Sequence, residues 1–250
     1  MRLFEQLVGP LRRPPVTTPY PAARASLPDR GVRGLPVRRD DRCGDEQLCM
    51  VVCPTGAIGT EDSSLDYGRC VLCGECVRSC AYGAMTAVPD FELAVRDRSA
   101  LARGRAVAPG PRSDEDELRR AIGRGLGRSL HVRHLDTGSC NGCDWEIAAL
   151  LNPYHDVQRF GIDFVASPRH ADLLLVTGTM TRNLELAAVR TYEAMPEPRL
   201  VVAMGACAIG GSVFAGSYAA RDGIGGEEDR AFEHGLSQTA LPTVRVDAHA

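Results

Sequence analysis

The sequence predicts an α/β protein of two units, in which a small cysteine-rich unit precedes a domain with a parallel sheet. Three observations lead to this prediction. The chain has 250 residues, about one and a half times the length of a typical domain. Seven of its ten cysteines lie within residues 43–80. From residue 130 onward, short apolar runs such as 173–176 and 200–203 alternate with helical patterns, as expected for buried parallel strands flanked by helices.

The composition narrows the class of protein. The chain is 44% apolar and carries a net charge of −3, so it can bury a core and is poorly suited to bind nucleic acid through phosphates. All 29 basic residues are arginines, which is a bias of the whole chain rather than a basic patch. No apolar run reaches the roughly 18 residues of a membrane span, and residues 1–10 lack a secretion signal. We therefore expect a cytoplasmic protein whose grouped cysteines bind metal rather than form disulfides.

The composition also divides the chain into five segments. Residues 1–42 hold nine arginines and seven prolines and form a basic, extended arm that either docks on an apolar surface or is disordered. Residues 43–96 are the cysteine-rich unit, and residues 97–129 combine a linker with an amphipathic helix. Residues 130–226 are the parallel-sheet domain, and residues 227–250 are a divergent or truncated tail.

The secondary structure after the linker follows from periodicity. Ser113 precedes four acidic residues and predicts the start of a helix, because acids favour the positive end of the helix dipole. The apolar edge of this helix, at residues 118, 122 and 126, should pack on the domain that follows. Strands are predicted at 130–135, 157–165, 171–176 and 200–204, and an amphipathic helix at 184–195.

Residues 70–80 carry the most specific motif of the chain. Cys70, Cys73, Cys76 and Cys80 have the spacing C-x2-C-x2-C-x3-C, which places three thiolates of one tight loop around one iron–sulfur cluster and the fourth on a second cluster. Zinc sites more often use two separated C-x2-C pairs. The motif therefore favours iron–sulfur clusters over structural zinc.

An incomplete copy of the same motif lies upstream, with a glutamate in place of its second cysteine. Applied to both copies, crossed ligation gives one complete set of four ligands: Cys70, Cys73, Cys76 and Cys53. The second set has three thiolates and a carboxylate: Cys43, Cys49, Cys80 and Glu46. Three thiolates suit a 3Fe-4S cluster, and a hard carboxylate can hold a fourth iron more labilely. This site therefore holds a 3Fe-4S cluster, a carboxylate-ligated 4Fe-4S cluster or no cluster.

A third group of cysteines belongs to the parallel-sheet domain. Cys140 and Cys143 form a C-x2-C between a predicted strand and a helix, and Cys207 follows the strand at 200–204 in a glycine-rich segment. If these strands are neighbours, the three thiols meet at the carboxyl edge of the sheet, where α/β proteins bind ligands. The alternatives are a redox dithiol or half a zinc site for the pair, and a small buried thiol for Cys207.

The chain resembles two electron-transfer subunits of the same class of complex. The segment 137–226, with Ser-Cys-Asn-Gly-Cys at 139–143 and Gly-Ala-Cys at 205–207, resembles the small subunit of group 4 membrane-bound nickel-iron hydrogenases of the formate hydrogenlyase type. That subunit is related to the 20 kDa-type iron–sulfur subunit of respiratory complex I. Residues 16–95, from Val-Thr-Thr-Pro-Tyr-Pro to Phe-Glu-Leu-Ala-Val, resemble the ferredoxin-like subunit. The chain is thus similar to a fusion of the two.

The resemblance implies a fold and a role. The expected fold is a ferredoxin-like two-cluster α+β domain followed by a flavodoxin-like α/β domain. The chain is expected to relay electrons through 4Fe-4S clusters, with a 3Fe-4S cluster as the alternative at one site, and to contain no catalytic residue. The implied partners are a nickel-iron-type large subunit or its quinone-reductase homologue, membrane-embedded subunits, and a redox donor or acceptor. The implied location is the inner face of the cell membrane.

The sequence departs from this family at one ligand. The family holds its proximal cluster with a fourth cysteine in a Pro-Gly-Cys-Pro segment, and no cysteine follows Cys207 here. Three explanations remain: a truncated or frameshifted reading frame, a substitute ligand such as His234 or His249, or a cluster of three irons or none.

Two other functions compete with the relay. In the first, the chain is a soluble ferredoxin-type redox adaptor whose C-terminal domain is a docking module with an incomplete cluster. In the second, it is a zinc-stabilised nucleic-acid binder, which the net charge disfavours. The content of iron and zinc separates the three.

Overall fold

The computed structural model of the protein describes residues 15–20, 34–44, 48–59, 64–91, 93–95, 98–101, 115–197 and 199–224. These residues form two sheets, a two-stranded antiparallel sheet and a four-stranded parallel sheet. No helix within these ranges is long and apolar enough to cross a membrane.

The antiparallel sheet joins the two ends of the cysteine-rich unit. Strand β1 (Leu35–Arg38) pairs with β2 (Met85–Val88), with Leu35 opposite Val88 and Arg38 opposite Met85. Two one-turn helices, α1 (Leu48–Val51) and α2 (Glu75–Arg78), lie between these strands. The unit has its own apolar core, which includes Leu35, Ile58, Leu65, Tyr67 and Met85.

The first unit extends beyond the residues that composition assigned to it. Residues Arg98–Ala100 form a 3-10 helix inside the segment predicted as a linker. The Nη1 and Nη2 atoms of Arg98 donate hydrogen bonds to the Asp66 carboxylate, at 2.8 and 2.6 Å, and Leu101 is buried in the core of the unit. These residues therefore pack as part of the first unit.

The parallel sheet belongs to the second unit. After helix α3 (Glu115–Leu126), the chain forms β3 (Leu130–Asp136), α4 (Gly142–Ala149), β4 (Ile162–Phe164), β5 (Leu173–Thr177), α5 (Arg182–Glu193), β6 (Leu200–Ala203) and α6 (Gly205–Gly210). The strand order is β4-β3-β5-β6 and every pair is parallel. The prediction of a parallel α/β domain is confirmed.

Apolar side chains cover both faces of this sheet. Leu173 and Leu175 of β5 belong to one core cluster, against which Ile122 and Leu126 of α3 pack. Leu174 and Val176 face the other cluster, together with side chains of α5. Successive residues of a strand point to opposite faces, and this explains why the run at 173–176 is continuously apolar. The predicted packing of the α3 edge on this domain is also found.

One predicted strand is wrong over most of its length. Only Ile162–Phe164 of the segment 157–165 form a strand, and Val157–Phe160 form a 3-10 helix. Asp156 and Gly161, which flank this helix, both have positive φ angles, so the chain cannot continue as a strand there. The apolar pattern reflects burial of Phe160, which is 7% exposed.

The two units pack directly on each other through α6. Ile209 is part of the core cluster of the first unit. A Cβ placed on Gly210 would lie 3.1 Å from the carbonyl oxygen of Gly68, and one placed on Gly68 would lie 2.8 Å from Ile209 Cγ2. The absence of side chains at both glycines therefore allows α6 to approach the first unit closely.

A segment of the N-terminal arm also bridges the units. Residues 15–20, here called the arm segment, bind the second unit: Thr18 N–H donates to the Tyr154 carbonyl oxygen at 2.7 Å, and the Arg159 guanidinium donates to the carbonyl oxygens of Thr18 and Tyr20. The Tyr20 ring lies 5.7 Å from the Phe91 ring of the first unit. Hydrogen bonds thus hold residues 18 and 20 of the arm on the second unit. Residues 1–14, with the apolar side chains that would dock on a surface, lie outside the described residues, as do Ser113 at the start of α3 and the predicted tail.

Candidate metal centres

Four cysteines line one cavity of the first unit. They are the four of the predicted complete set: Cys53, Cys70, Cys73 and Cys76. The remaining lining is apolar or uncharged and includes Pro36, Leu65 and Val71. The structure therefore brings the two copies of the motif together in the crossed arrangement, with Cys53 of the upstream copy among the three cysteines of the downstream loop.

The surroundings of this cavity suit thiolate ligands. The backbone N–H of Ala57 donates to Cys53 Sγ at 3.3 Å, and that of Leu72 donates to Cys70 Sγ at 3.4 Å. Burial raises the pKa of Cys70 to about 12 and that of Cys76 to about 11. Without a positive metal centre these thiols stay protonated at neutral pH, and binding of a metal or cluster would release their protons.

The second cavity of the first unit is lined by three other cysteines, Cys43, Cys49 and Cys80. The pKa of Cys80 is lowered by backbone N–H donors, chiefly that of Met85, which lies 3.4 Å from its sulfur. Burial raises the pKa of Cys49, and the neighbouring thiols of Cys43 and Cys80 raise it further. The three-thiol set predicted from the sequence is therefore assembled at one place.

The two cavities lie side by side. The thiol of Cys49, in the second cavity, contributes to the raised pKa of Cys76, in the first. Helices α1 and α2, which carry these two cysteines, pack against each other. The two sets of sulfurs therefore occupy neighbouring positions in one small core.

The third group of cysteines meets at the carboxyl edge of the parallel sheet. Burial raises the pKa of Cys143 to about 11, and the nearby thiols of Cys207 and Cys140 contribute to this increase. The three thiols therefore lie close together. Strands β3 and β6, which lead to these cysteines, are separated by β5, so the expectation of neighbouring strands is wrong. The thiols nevertheless converge because the segments after β3 and β6 both extend over the end of β5.

A glycine makes this convergence possible. Gly205 has a φ of +86°, and a Cβ at this position would lie 2.5 Å from Cys143 Sγ. The Cys143 thiol is thus packed directly on the first turn of α6. Cys140 is exposed whereas Cys143 is buried, so the group is open to solvent on one side.

A polar network that sequence reasoning missed supports the loop between Cys140 and Cys143. Asp144 accepts hydrogen bonds from the hydroxyls of Ser139 and Thr177, at 3.0 and 3.1 Å. The Nε2 atom of His134 lies 3.1 Å from the Asp144 carboxylate and 3.0 Å from the Thr177 hydroxyl. The alternation of side chains along β3 places His134 beside this loop. Thr177 belongs to β5 and reaches the loop only because β3 and β5 pair with Leu135 opposite Val176.

The described part of the chain leaves some predicted residues untested. Glu46, His234 and His249 lie outside it. Within it, no group of three or more His, Cys, Asp or Glu side chains is arranged to hold a single metal ion. Glu146 and Trp145, next to Cys143, are both exposed, and Trp145 is 77% exposed.

Asp163 and Asp172, two carboxylates of the second unit, differ in environment. Asp172 is 5% exposed and binds the Arg128 guanidinium through both oxygens, each at 2.8 Å. Its backbone N–H donates to the His131 carbonyl oxygen. This carboxylate stabilises the start of β5. Asp163 accepts a hydrogen bond from Gln158, and this bond lowers its pKa.

Comparison with known proteins relates the second unit to a family. Residues 140–248 match the family described as NADH ubiquinone oxidoreductase, 20 Kd subunit. The chain is 57% identical over 90 residues to the probable membrane-bound hydrogenase subunit mbhJ of Pyrococcus furiosus, and the match covers 36% of this chain and 53% of that protein. It is 46% identical over 91 residues to formate hydrogenlyase subunit 7 of Escherichia coli, covering 36% of each.

A relative from a quinone-linked enzyme is similar over a shorter stretch. NAD(P)H-quinone oxidoreductase subunit K of a Picosynechococcus species is 54% identical over 72 residues, which cover 29% of this chain and 30% of that protein. The chain thus spans about half or less of the length of these curated relatives. The resemblance of the C-terminal part to hydrogenase and complex I-type subunits is confirmed: residues 140–248 match the 20 kDa-subunit family, and the relatives are similar over 72 to 91 residues.

Proposed function

We propose that this chain is an iron–sulfur electron-transfer subunit of a membrane-associated hydrogenase or complex I-like oxidoreductase. Its relatives bear the names of subunits of such enzymes, a membrane-bound hydrogenase, formate hydrogenlyase and NAD(P)H-quinone oxidoreductase. In the proposal it passes electrons between a redox donor or acceptor and a large catalytic subunit. It attaches to the inner face of the membrane through membrane-embedded partner subunits.

The observation that carries the proposal is the packing of three cysteine groups in one continuous body. Cys70 follows Gly68 by two residues, and Cys207 precedes Gly210 by three. Because Gly68 and Gly210 are in contact, the complete set of the first unit lies next to the cysteine group of the second. The three-thiol set is also close to the complete set, because the Cys49 thiol acts on the pKa of Cys76.

The first unit is proposed as a ferredoxin-like two-cluster domain. Cys53, Cys70, Cys73 and Cys76 would hold a 4Fe-4S cluster, and this assignment fits an uncharged cavity with amide N–H groups directed at two of the sulfurs. Such N–H donors stabilise ligated thiolates and tune their cluster. An iron–sulfur cluster supplies one-electron transfer, which is the chemistry that a relay needs.

The three-thiol sets are proposed as cluster sites with a non-cysteine or missing ligand. Cys43, Cys49 and Cys80 would hold a 3Fe-4S cluster, or a 4Fe-4S cluster with Glu46 as fourth ligand. The backbone donors around Cys80 support a thiolate there. In the second unit, the corresponding set is Cys140, Cys143 and Cys207, for the cluster nearest the large subunit.

The proposal is tested by counting iron and recording electron paramagnetic resonance on anaerobically purified full-length protein. About ten to twelve irons per chain are expected for one cluster of four irons and two clusters of three or four irons each. Cys207→Ser should remove only the cluster of the second unit, and Cys70→Ser only that of the complete set. As a control in the same segment, Val213→Ala, at a side chain that is 54% exposed, should keep all irons. A wild-type protein that contains zinc in place of iron would refute the proposal. A wild-type protein with about seven or eight irons would have clusters in the first unit alone, as expected for a ferredoxin-type adaptor.

The role of Glu46 has its own test. A 3Fe-4S cluster gives a signal in the oxidised state, and Glu46→Cys should convert it to a 4Fe-4S cluster and remove that signal. If the oxidised-state signal persists unchanged in Glu46→Cys, the assignment of this site is wrong.

A further inference from the structure

A guanidinium group lies against the three-thiol set of the first unit. The Nη2 atom of Arg38 donates a hydrogen bond to Cys43 Sγ at 3.2 Å, and the Arg38 side chain lines the cavity together with Cys49 and Cys80. Burial raises the pKa of Cys49, whereas the positive charge of Arg38 lowers it. Arg38 therefore acts electrostatically on more than one thiol of the set.

The fold holds this guanidinium in place. Arg38 is the last residue of β1 and pairs with Met85 of β2, whose N–H donates to Cys80 Sγ. The same strand pair thus presents a guanidinium to one sulfur and an amide to another. The Asp40 carboxylate, on the exposed side, lies 3.1 Å from Arg38 Nε. Only 21% of the Arg38 side chain is exposed, so water screens its charge less than that of a surface arginine.

The complete set has a different electrostatic environment. None of the described residues that line its cavity is charged. Backbone N–H groups donate hydrogen bonds to the sulfurs of Cys53 and Cys70. The Thr55 hydroxyl also lies 3.7 Å from the Cys53 sulfur. Two of its thiols, Cys70 and Cys76, are buried, whereas Cys43 is exposed. Of the two neighbouring cavities, the one with three thiols therefore has a guanidinium within hydrogen-bond distance of a sulfur, whereas the described lining of the other has no charged group.

We propose that Arg38 raises the reduction potential of the cluster on Cys43, Cys49 and Cys80, so that this cluster accepts an electron before the one on the complete set. The inference rests on the proposed function, since it presupposes a cluster at each site. One added electron makes the cluster and its thiolates more negative by one charge. A hydrogen-bonded cation stabilises that reduced state more than the oxidised state.

The test is a redox titration of full-length protein followed by electron paramagnetic resonance, which reports each cluster separately. Arg38→Gln should shift the reduction equilibrium of the three-thiol cluster at least about tenfold toward the oxidised state, which is about 59 mV for one electron. The cluster on the complete set should shift far less. Arg39→Gln is the matched control, because it removes the same charge from the next residue, which is exposed, and it should leave both potentials unchanged.

Two further variants keep the inference testable if Arg38→Gln does not assemble its cluster. Arg38→Lys keeps the charge but loses the planar fork, and should retain most of the wild-type potential. Asp40→Asn removes the anion that partly neutralises Arg38, and should shift the same equilibrium in the opposite direction.

The outcomes separate the inference from the function on which it rests. If the wild type contains the three-thiol cluster and its potential is the same in Arg38→Gln, the inference fails and the proposed function stands. An equal shift in Arg39→Gln would likewise overturn it, because the effect would then be a general one of surface charge. If the wild type lacks that cluster altogether, both the assignment of the site and the inference are wrong.

Discussion

The contact between Gly205 and Cys143 gives the sharpest prediction for the second unit. In Gly205→Ala, two costs add. The backbone at residue 205 has a φ of +86°, which costs an L-residue about 1–2 kcal/mol. The new methyl group would lie 2.5 Å from Cys143 Sγ, so the sulfur or the start of α6 must move. Since Cys143 is 7% exposed, it has little room to move, and such overpacking costs about 1–3 kcal/mol more.

Gly216 provides a control with the same strain and no contact. Its φ is +75°, and a Cβ there would meet nothing within 4 Å. Gly216→Ala should therefore lower the free energy of unfolding of the reduced, iron-free protein by about 1–2 kcal/mol. Gly205→Ala should lower it by about 2–5 kcal/mol, and the difference between the variants measures the contact with the thiol.

Iron counting distinguishes displacement of the thiol from loss of stability. Gly205→Ala should lose the iron of the second unit and keep the signals of the first unit, whereas Gly216→Ala should keep all of its iron. If both variants have the same stability and the same iron content, the Cys143 thiol does not lie on α6 as described. That result would also remove the geometric basis for grouping Cys143 with Cys207.

Three further predictions concern stability and order. Arg128→Ala leaves the buried carboxylate of Asp172 without its charged partner, and should lower the free energy of unfolding by about 2 kcal/mol in urea denaturation. Arg159→Ala removes two hydrogen bonds to the arm segment, together worth about 2 kcal/mol, and should make tryptic cleavage of the arm about thirtyfold faster. In the iron-free protein, the thiols of Cys70 and Cys143 have pKa values of about 12 and 11 against 9.0 in the unfolded chain. The stability due to these protonated thiols should be fully present below pH 9.0 and be lost as the pH rises toward 12.

Each of these predictions has a result that contradicts it. Arg124→Ala, on the exposed side of α3, removes the same charge as Arg128→Ala and should change stability by less than about 0.5 kcal/mol. Equal effects at the two sites would mean that the ion pair contributes nothing. Unchanged tryptic cleavage in Arg159→Ala would mean that other contacts hold the arm. A stability that rises between pH 9.0 and about 11 would reverse the sign expected for buried thiols.

The cysteine groups could be predicted from sequence because their ligand spacing is a local property. The crossed assignment of Cys53 and Cys80 needs only the known geometry of a tight loop. The structure places Cys53 in one cavity with Cys70, Cys73 and Cys76, and Cys80 in another with Cys43 and Cys49, and their ligand roles stay predictions. Buried parallel strands were also predictable, because a strand covered on both faces is continuously apolar. In contrast, the order of β3, β5 and β6 depends on crossover connections that no local pattern specifies.

The residues that sequence reasoning missed act through contacts between distant segments. Arg38 lies in the basic arm, where its charge looks like one of nine, and only the pairing of β1 with β2 brings it to Cys43. Arg128 and Asp172 are 44 residues apart, and their ion pair depends on the junction of α3 with the sheet. The composition at Arg98 is that of a linker, yet its guanidinium binds Asp66. Charge and composition alone do not distinguish these arginines from solvated ones.

The neighbourhood of the cysteine groups bears on how a site with three thiolates can take part in a relay. The complete set is close both to the three-thiol set, at Cys76 and Cys49, and to the group on α6, at Gly68 and Gly210, and is here called the middle set. Each outer set contains an exposed cysteine, Cys43 or Cys140, whereas the middle set contains none. In the proposed relay, an inner cluster has no access to outside ligands and depends on four thiolates of its own chain. An outer cluster lies at the surface where electrons enter or leave, and there a carboxylate, a solvent molecule or a partner residue can reach the open position. Incomplete ligation at the ends is therefore compatible with a continuous relay, whereas loss of a ligand from the middle set would interrupt it.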